Sequence, residues 1–96
     1  MEYLKTVVKS KLEANGLSWA VAERVLNCES GWNEKAVGDN LNGTKDVGLW
    51  QINDIHGLTD EERKDPHVST SYAIKLIKSD IGFKHWACYT KLYGNI

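Results

Sequence analysis

Apolar residues recur at helical spacing at both ends of the chain and lose that rhythm in the middle. Near the start, Leu4, Val7, Val8 and Leu12 fall on one face of a helix over residues 3–15, and Gly16 follows as a stop signal. Ser18 is a good N-cap for a second helix, although Val21 stands where a capping box would place Glu. That helix buries Ala22, Val25 and Leu26, and the same face continued by one turn reaches Glu29. From Ala36 to Ile52 the chain turns to Gly, Asn and Asp, with Asn42-Gly43 in the middle. Asn-Gly is the preferred pair for a two-residue hairpin turn because both positions tolerate positive φ. The pattern predicts a hairpin of Val37–Asn40 with Lys45–Leu49. Thr59-Asp60-Glu61-Glu62 then starts a short helix, and Ser69 or Thr70 begins a longer one carrying Ala73, Leu76, Ile77 and Ile81 on one face. A last helix after Gly82 turns Phe83, Trp86 and Ala87 inward. The sum is an α+β domain, mainly helical with one small antiparallel sheet.

Glu29 does not suit its place. A carboxylate on the apolar stripe of a helix, near its C-terminal end, is disfavoured by desolvation and by the negative end of the helix dipole. Both effects keep a carboxyl protonated, which is the state a general acid needs. The plainer reading is an exposed Glu at a frayed helix end. Asp46 lies seventeen positions later, on the second predicted strand, among Asn40, Asn42, Thr44, Gln51 and Asn53. Polar neighbours of that kind favour a charged carboxylate. One carboxyl kept neutral and one kept ionised is the division of labour in glycoside cleavage. Against this, a polar hairpin can carry an Asp for turn chemistry alone. Trp32, Trp50, Trp86, Tyr89 and Tyr93 are numerous for so short a chain. They offer sugar-stacking faces or core filling, and both uses are expected: Trp86 inside and at least one other at a groove.

Composition narrows the field. With 96 residues the chain is one domain, and a formal charge of −1 leaves no basic footprint for nucleic acid. No apolar run approaches the roughly 18 residues needed to cross a membrane. His56, His67 and His85 lack metal-ligand spacing, and there is no phosphate loop or nucleophile elbow, so no metal or cofactor is implied. Cys28 and Cys88, sixty positions apart, are wrong for zinc or a redox motif. One disulfide closing a long loop and two separate buried thiols both remain open. Val7 and Val8, flanked by Lys5 and Lys9, do not make a signal-peptide core. A mature fragment with Met1 added, or a chain made without an export signal, would each account for that.

The strings Cys28-Glu29-Ser30-Gly31-Trp32-Asn33 and Asp46-Val47-Gly48-Leu49-Trp50-Gln51-Ile52-Asn53 resemble the lysozyme superfamily. The Glu-Ser pair followed by Gly-Leu-Trp-Gln-Ile is similar to soluble lytic transglycosylases. The Asp-x-Gly-x-x-Gln-Ile-Asn form is closer to chicken-type lysozymes. Residues 73–80 and Gly82-Phe83-Lys84-His85-Trp86 also resemble that family, so the likeness runs over roughly residues 19 to 90.

The resemblance implies a lysozyme-like fold with a cleft between a helical lobe and the hairpin. It makes Glu29 the general acid/base and Asp46 the second carboxylate, which supports or attacks the sugar. Gln51 and Asn53 would shape the cleft floor, with Asn53 binding an N-acetyl group or supporting Asp46. Asn40 would lie beside Asp46, Trp50 and Asp80 would contact sugar, and Trp86 would pack against the acid. A Cys28–Cys88 bond would then join the catalytic helix to the last one and hold Glu29 against Trp86. The implied partner is peptidoglycan or a chitin-like glycan, cut by a secreted, cell-wall-facing monomer with no nucleic-acid or membrane partner. Hydrolysis of the β-1,4 bond between N-acetylmuramic acid and N-acetylglucosamine is the expected reaction. Lytic transglycosylation, or glycan binding without cleavage, is the alternative. Asp54-Ile55-His56 replaces the Trp-Trp pair that animal lysozymes carry after Gln-Ile-Asn, and the chain is shorter between Asn53 and Tyr72.

Overall fold

A computed structural model describes residues 2–79 and 81–94. Helix α1 (Glu2–Ala14) buries Leu4, Val7, Val8 and Leu12, as its spacing requires. It ends where Gly16 takes a left-handed φ of 69° and donates to the Glu13 carbonyl. Helix α2 (Trp19–Glu29) starts at Ser18, whose Oγ accepts from the Val21 amide at 3.2 Å. Ala22, Val25 and Leu26 line its buried face.

Three short strands follow, β1 (Val37–Asp39), β2 (Lys45–Val47) and β3 (Ile52–Asn53), antiparallel in that order. The hairpin is therefore shorter than its sequence pattern suggests and gains a third strand. Asn42-Gly43 does not form a tight two-residue turn. Residues 40–44 make a wider loop closed by the Asn40 amide on the Thr44 carbonyl (2.9 Å), with Gly43 at φ 85°. Register then sets the chemistry. Asp46 lies directly opposite Asn53 on β3 and Gly38 on β1, while Val47, one residue on, turns into the core opposite Ile52.

Helix α3 (Asp60–Lys64) opens with a full capping box between Thr59 and Glu62. The longer helix α4 (Pro66–Ile77) begins before Ser69 and Thr70, which are buried inside it. Its start is fixed by Asp65, whose Oδ1 accepts from the His67 and Val68 amides, and by Pro66 at the first helical position. Ile81 lies beyond the helix and is exposed. A 3-10 turn over Gly82–His85 leads into α5 (Ala87–Tyr93), which is shorter than the single helix expected after Gly82. Trp86 is buried, but Ala87 faces outward.

The core joins α1, α2 and α4 to Leu49, Trp50, Ile52 and Trp86. The sheet is fastened to this body by Arg63 on α3, a buried cation. Its guanidinium donates to the Ile52 carbonyl (2.9 Å) and pairs with Asp54 (2.9 Å) and Asp60 (2.8 Å). Gly48 lets the same wall close: a Cβ there would lie 1.8 Å from the Arg63 carbonyl oxygen. No helix among the described residues is long and apolar enough to cross a membrane.

Candidate active site

A cavity of about 200 Å³ opens between the helical body and the sheet, and Glu29 and Asp46 both line it. Glu29 is the last residue of α2, where the helical face turns from core to cleft. Gly31 and Trp32 follow at φ 61° and 65°, so the chain reverses immediately after the acid. The Glu29 carboxyl is half-buried, and Oε2 accepts one hydrogen bond, from the Cys88 amide at 3.2 Å. Burial raises its pKa above the ordinary Glu value; the Cys88 N–H opposes this and the negative charge of Asp46 adds to it. The outcome is the raised pKa that its place on the apolar stripe predicts.

Asp46 enters from the sheet. Its Oδ1 accepts from Asn53 Nδ2 at 2.8 Å, the same-face contact that the cross-strand register demands. Asn53 Nδ2 also donates to Thr44 Oγ1 (3.1 Å), which donates in turn to Asn42 Oδ1. The hairpin loop thereby orients the amide that holds Asp46.

Gln51 lines the cavity, yet its Nε2 is engaged with the Gly48 carbonyl (2.9 Å) and the Ala36 carbonyl (3.1 Å). With φ at 47° it braces the turn between β2 and β3. Trp86 also lines the cavity, and its indole N–H donates to the Trp50 carbonyl at 2.6 Å. The Trp50 and Trp86 rings lie 5.1 Å apart.

Two expected contacts do not reach the cleft. Trp50 is fully buried, with Nε1 donating to Thr70 Oγ1, so it supports the floor from beneath and offers no face to a sugar. Asn40 is exposed just past β1 and its amide donates to Thr44 Oγ1; Asn53 takes the place beside Asp46. Asp80 lies outside the described residues. Trp32, a candidate for a groove, is buried and stacks obliquely on Trp19.

Residues not singled out as ligands complete the walls: His56, Leu76, His85 and Ala87. His56 Nδ1 meets the Tyr72 hydroxyl at 2.9 Å, and burial, then the nearby His85, lowers its pKa. Its sequence signal was the departure itself, since His56 stands where the resemblance to animal lysozymes breaks. Cys28 and Cys88 are bonded to each other, their Cα atoms 6.0 Å apart. No cluster of potential metal ligands occurs among the described residues.

The family profile described as "Transglycosylase SLT domain" matches residues 6–89. The chain belongs to the transglycosylase SLT domain family. Glu29, Asp46, Asn53, Trp86 and both cysteines of this SLT domain fall within the matched stretch. It is also similar to Protein IpgF of Shigella flexneri and to Protein IpgF of Shigella sonnei, 42% identical to each over 66 residues. That alignment takes in 60% of this chain and 41% of each relative, so the chain spans less than half the length of the curated relatives it matches. The helical body, the three-stranded sheet and the cleft between them agree with the lysozyme-like fold of the superfamily.

Proposed function

We propose that this SLT domain cleaves the glycan strand of peptidoglycan at the β-1,4 bond between N-acetylmuramic acid and N-acetylglucosamine. Glu29 protonates the leaving oxygen, and Asp46 supports the positive charge that grows at C1 of the departing sugar. Water then attacks C1, with Glu29 acting as base, and the product carries a reducing end. The observation that carries this reading is the meeting of two carboxyls at one cavity, one from the helical body and one from the sheet. A half-buried carboxyl with a raised pKa faces a second carboxyl held by an amide.

The family match favours a second reading of the last step. Here the C6 hydroxyl of the N-acetylmuramic acid itself attacks C1, and a 1,6-anhydro end forms. The first half of the reaction, and the role of Glu29 in it, are common to both readings.

Mass analysis of muropeptides released from purified peptidoglycan separates them, because an anhydro product is lighter by one water. Reducing ends are the expected result; anhydro ends throughout would replace water with the C6 hydroxyl. If Glu29→Gln releases as much product as the unaltered chain, cleavage by this acid is wrong; if neither releases product, a glycan-binding module takes its place.

A further inference from the structure

We propose that the Cys28–Cys88 disulfide is a positioning clamp for the acid, holding the Cys88 amide N–H on the Glu29 carboxyl. The inference rests on the reading of Glu29 as the general acid. Its evidence is connectivity. Cys28 immediately precedes Glu29 at the end of α2, and Cys88 is the second residue of α5. The same residue that closes the covalent link therefore donates the hydrogen bond to Oε2.

Helix α5 needs such a tether. It has seven residues, no side-chain cap at its start and no buried residue of its own. Near its far end α5 meets α2 in a cation–π contact between Arg24 and Tyr93, 5.1 Å from guanidinium to ring centroid. Without the disulfide, the donor end of α5 is held through buried Trp86 just before it, partly buried Cys88 and Tyr89, and the stack of Tyr89 on Phe83, none of which fixes the Cys88 amide on the end of α2. The remaining titratable groups described around Glu29 come from other elements. Asp46 belongs to β2, His56 to the segment after β3, and His85 to the turn before Trp86. None of these is covalently tied to α2.

Reduction by a dithiol breaks the S–S bond into two thiols, with two electrons and two protons supplied by the reductant, which becomes a disulfide. Two effects follow in the cleft. The carboxyl is no longer fixed in direction, which lowers the maximal rate. The N–H that favoured the charged form is lost, so the pKa of the acid rises further. The alkaline limb of the rate profile then moves to higher pH. A purely structural cross-link would lower the melting temperature and leave that limb in place.

The test compares pH–rate profiles on purified peptidoglycan for the oxidised chain, the dithiothreitol-reduced chain and Cys28→Ser/Cys88→Ser. All are measured at a temperature where far-UV circular dichroism shows the same fold. The expected result is a loss of about tenfold or more in maximal rate, as small displacements of a reacting group cause, together with an upward shift of the alkaline limb. Reoxidation should restore both, and the double variant should not respond to reductant. Superimposable profiles with two free thiols would overturn the clamp. So would a reduced chain that is unfolded at every temperature, since the bond would then act on the whole fold. Glu29→Gln in the same assay keeps the two questions apart. If it is active, the acid is misassigned; if it is inactive while the profiles coincide, only the clamp fails.

Discussion

The cleft and the junction between sheet and helical body carry the same functional group in opposite surroundings. In the cleft, Glu29 is half-buried and accepts from one amide, and burial raises its pKa. At the junction, outside the cleft, Asp54 accepts from the Lys45 amide and pairs with Arg63, and Asp60 meets Lys45 and Arg63. Both have lowered pKa values: chiefly through the backbone bond from Lys45 for Asp54, and through the Lys45 side chain, then Arg63, for Asp60. The contrast separates chemistry from construction. Acids gathered around a cation hold the sheet on the body, and an acid denied one is left ready to give up a proton.

The sharpest way to break the contrast is Glu29→Gln. It keeps the shape and removes the proton donor, so cleavage should fall by about 10²–10⁴-fold, measured as product release from peptidoglycan. Next comes Arg63→Met, which fills similar space without the charge. It leaves the Ile52 carbonyl without its donor and should cost about 2–4 kcal/mol of stability in urea unfolding. Removing the disulfide should cost a comparable amount, about 2–4 kcal/mol. Asp46→Asn should lower cleavage by about 10²-fold with little loss of stability, if charge at that position supports C1.

The smallest effect is the most diagnostic, because the cleft and the junction should differ in sign. Glu29 has a raised pKa in the folded state. Its contribution to stability is therefore fully present below the ordinary Glu range and is lost as pH rises through the folded value. Glu29→Gln should accordingly melt slightly higher than the unaltered chain at neutral pH and lose that advantage in acid. Asp54 and Asp60 run the other way. Their contribution is present above the ordinary Asp range and disappears as pH falls through the lowered folded values. Melting curves across pH of Glu29→Gln and of Arg63→Met, which removes the cation shared by Asp54 and Asp60, each taken against the unaltered chain, would show two opposite slopes; parallel slopes would erase the distinction.

Most of the helical body was legible because its signals are local. Leu4, Val7, Val8 and Leu12 declare a face within three turns, and Ser18 caps the turn that follows it. The same is true of Glu29, whose place on a continued apolar stripe is visible in eleven residues of helix. The start of α4 is also set locally, by Asp65 and Pro66, whereas Ser69 and Thr70, which read as a helix start by residue type, are buried inside the helix. Other features depend on distant partners. Trp50 looks like a platform for sugar until Thr70 is found under its indole nitrogen, twenty residues on. Arg63 reads as one charge in an acidic-basic run, and only the fold brings Ile52 and Asp54 to it. Strand β3 has two residues, too few for any periodicity to register.

The covalent link between Cys28 and Cys88 has a topological consequence. In sequence, all the described residues that line the cleft fall between the two cysteines, from Glu29 to Ala87. Among the described residues, the most exposed large apolar side chain, Leu41, stands in the hairpin loop inside that span. A protease that nicks the chain there would leave two pieces still joined by sulfur. One would carry Glu29 and the other Asp46, so the two walls would stay members of one molecule after the backbone between them had been cut.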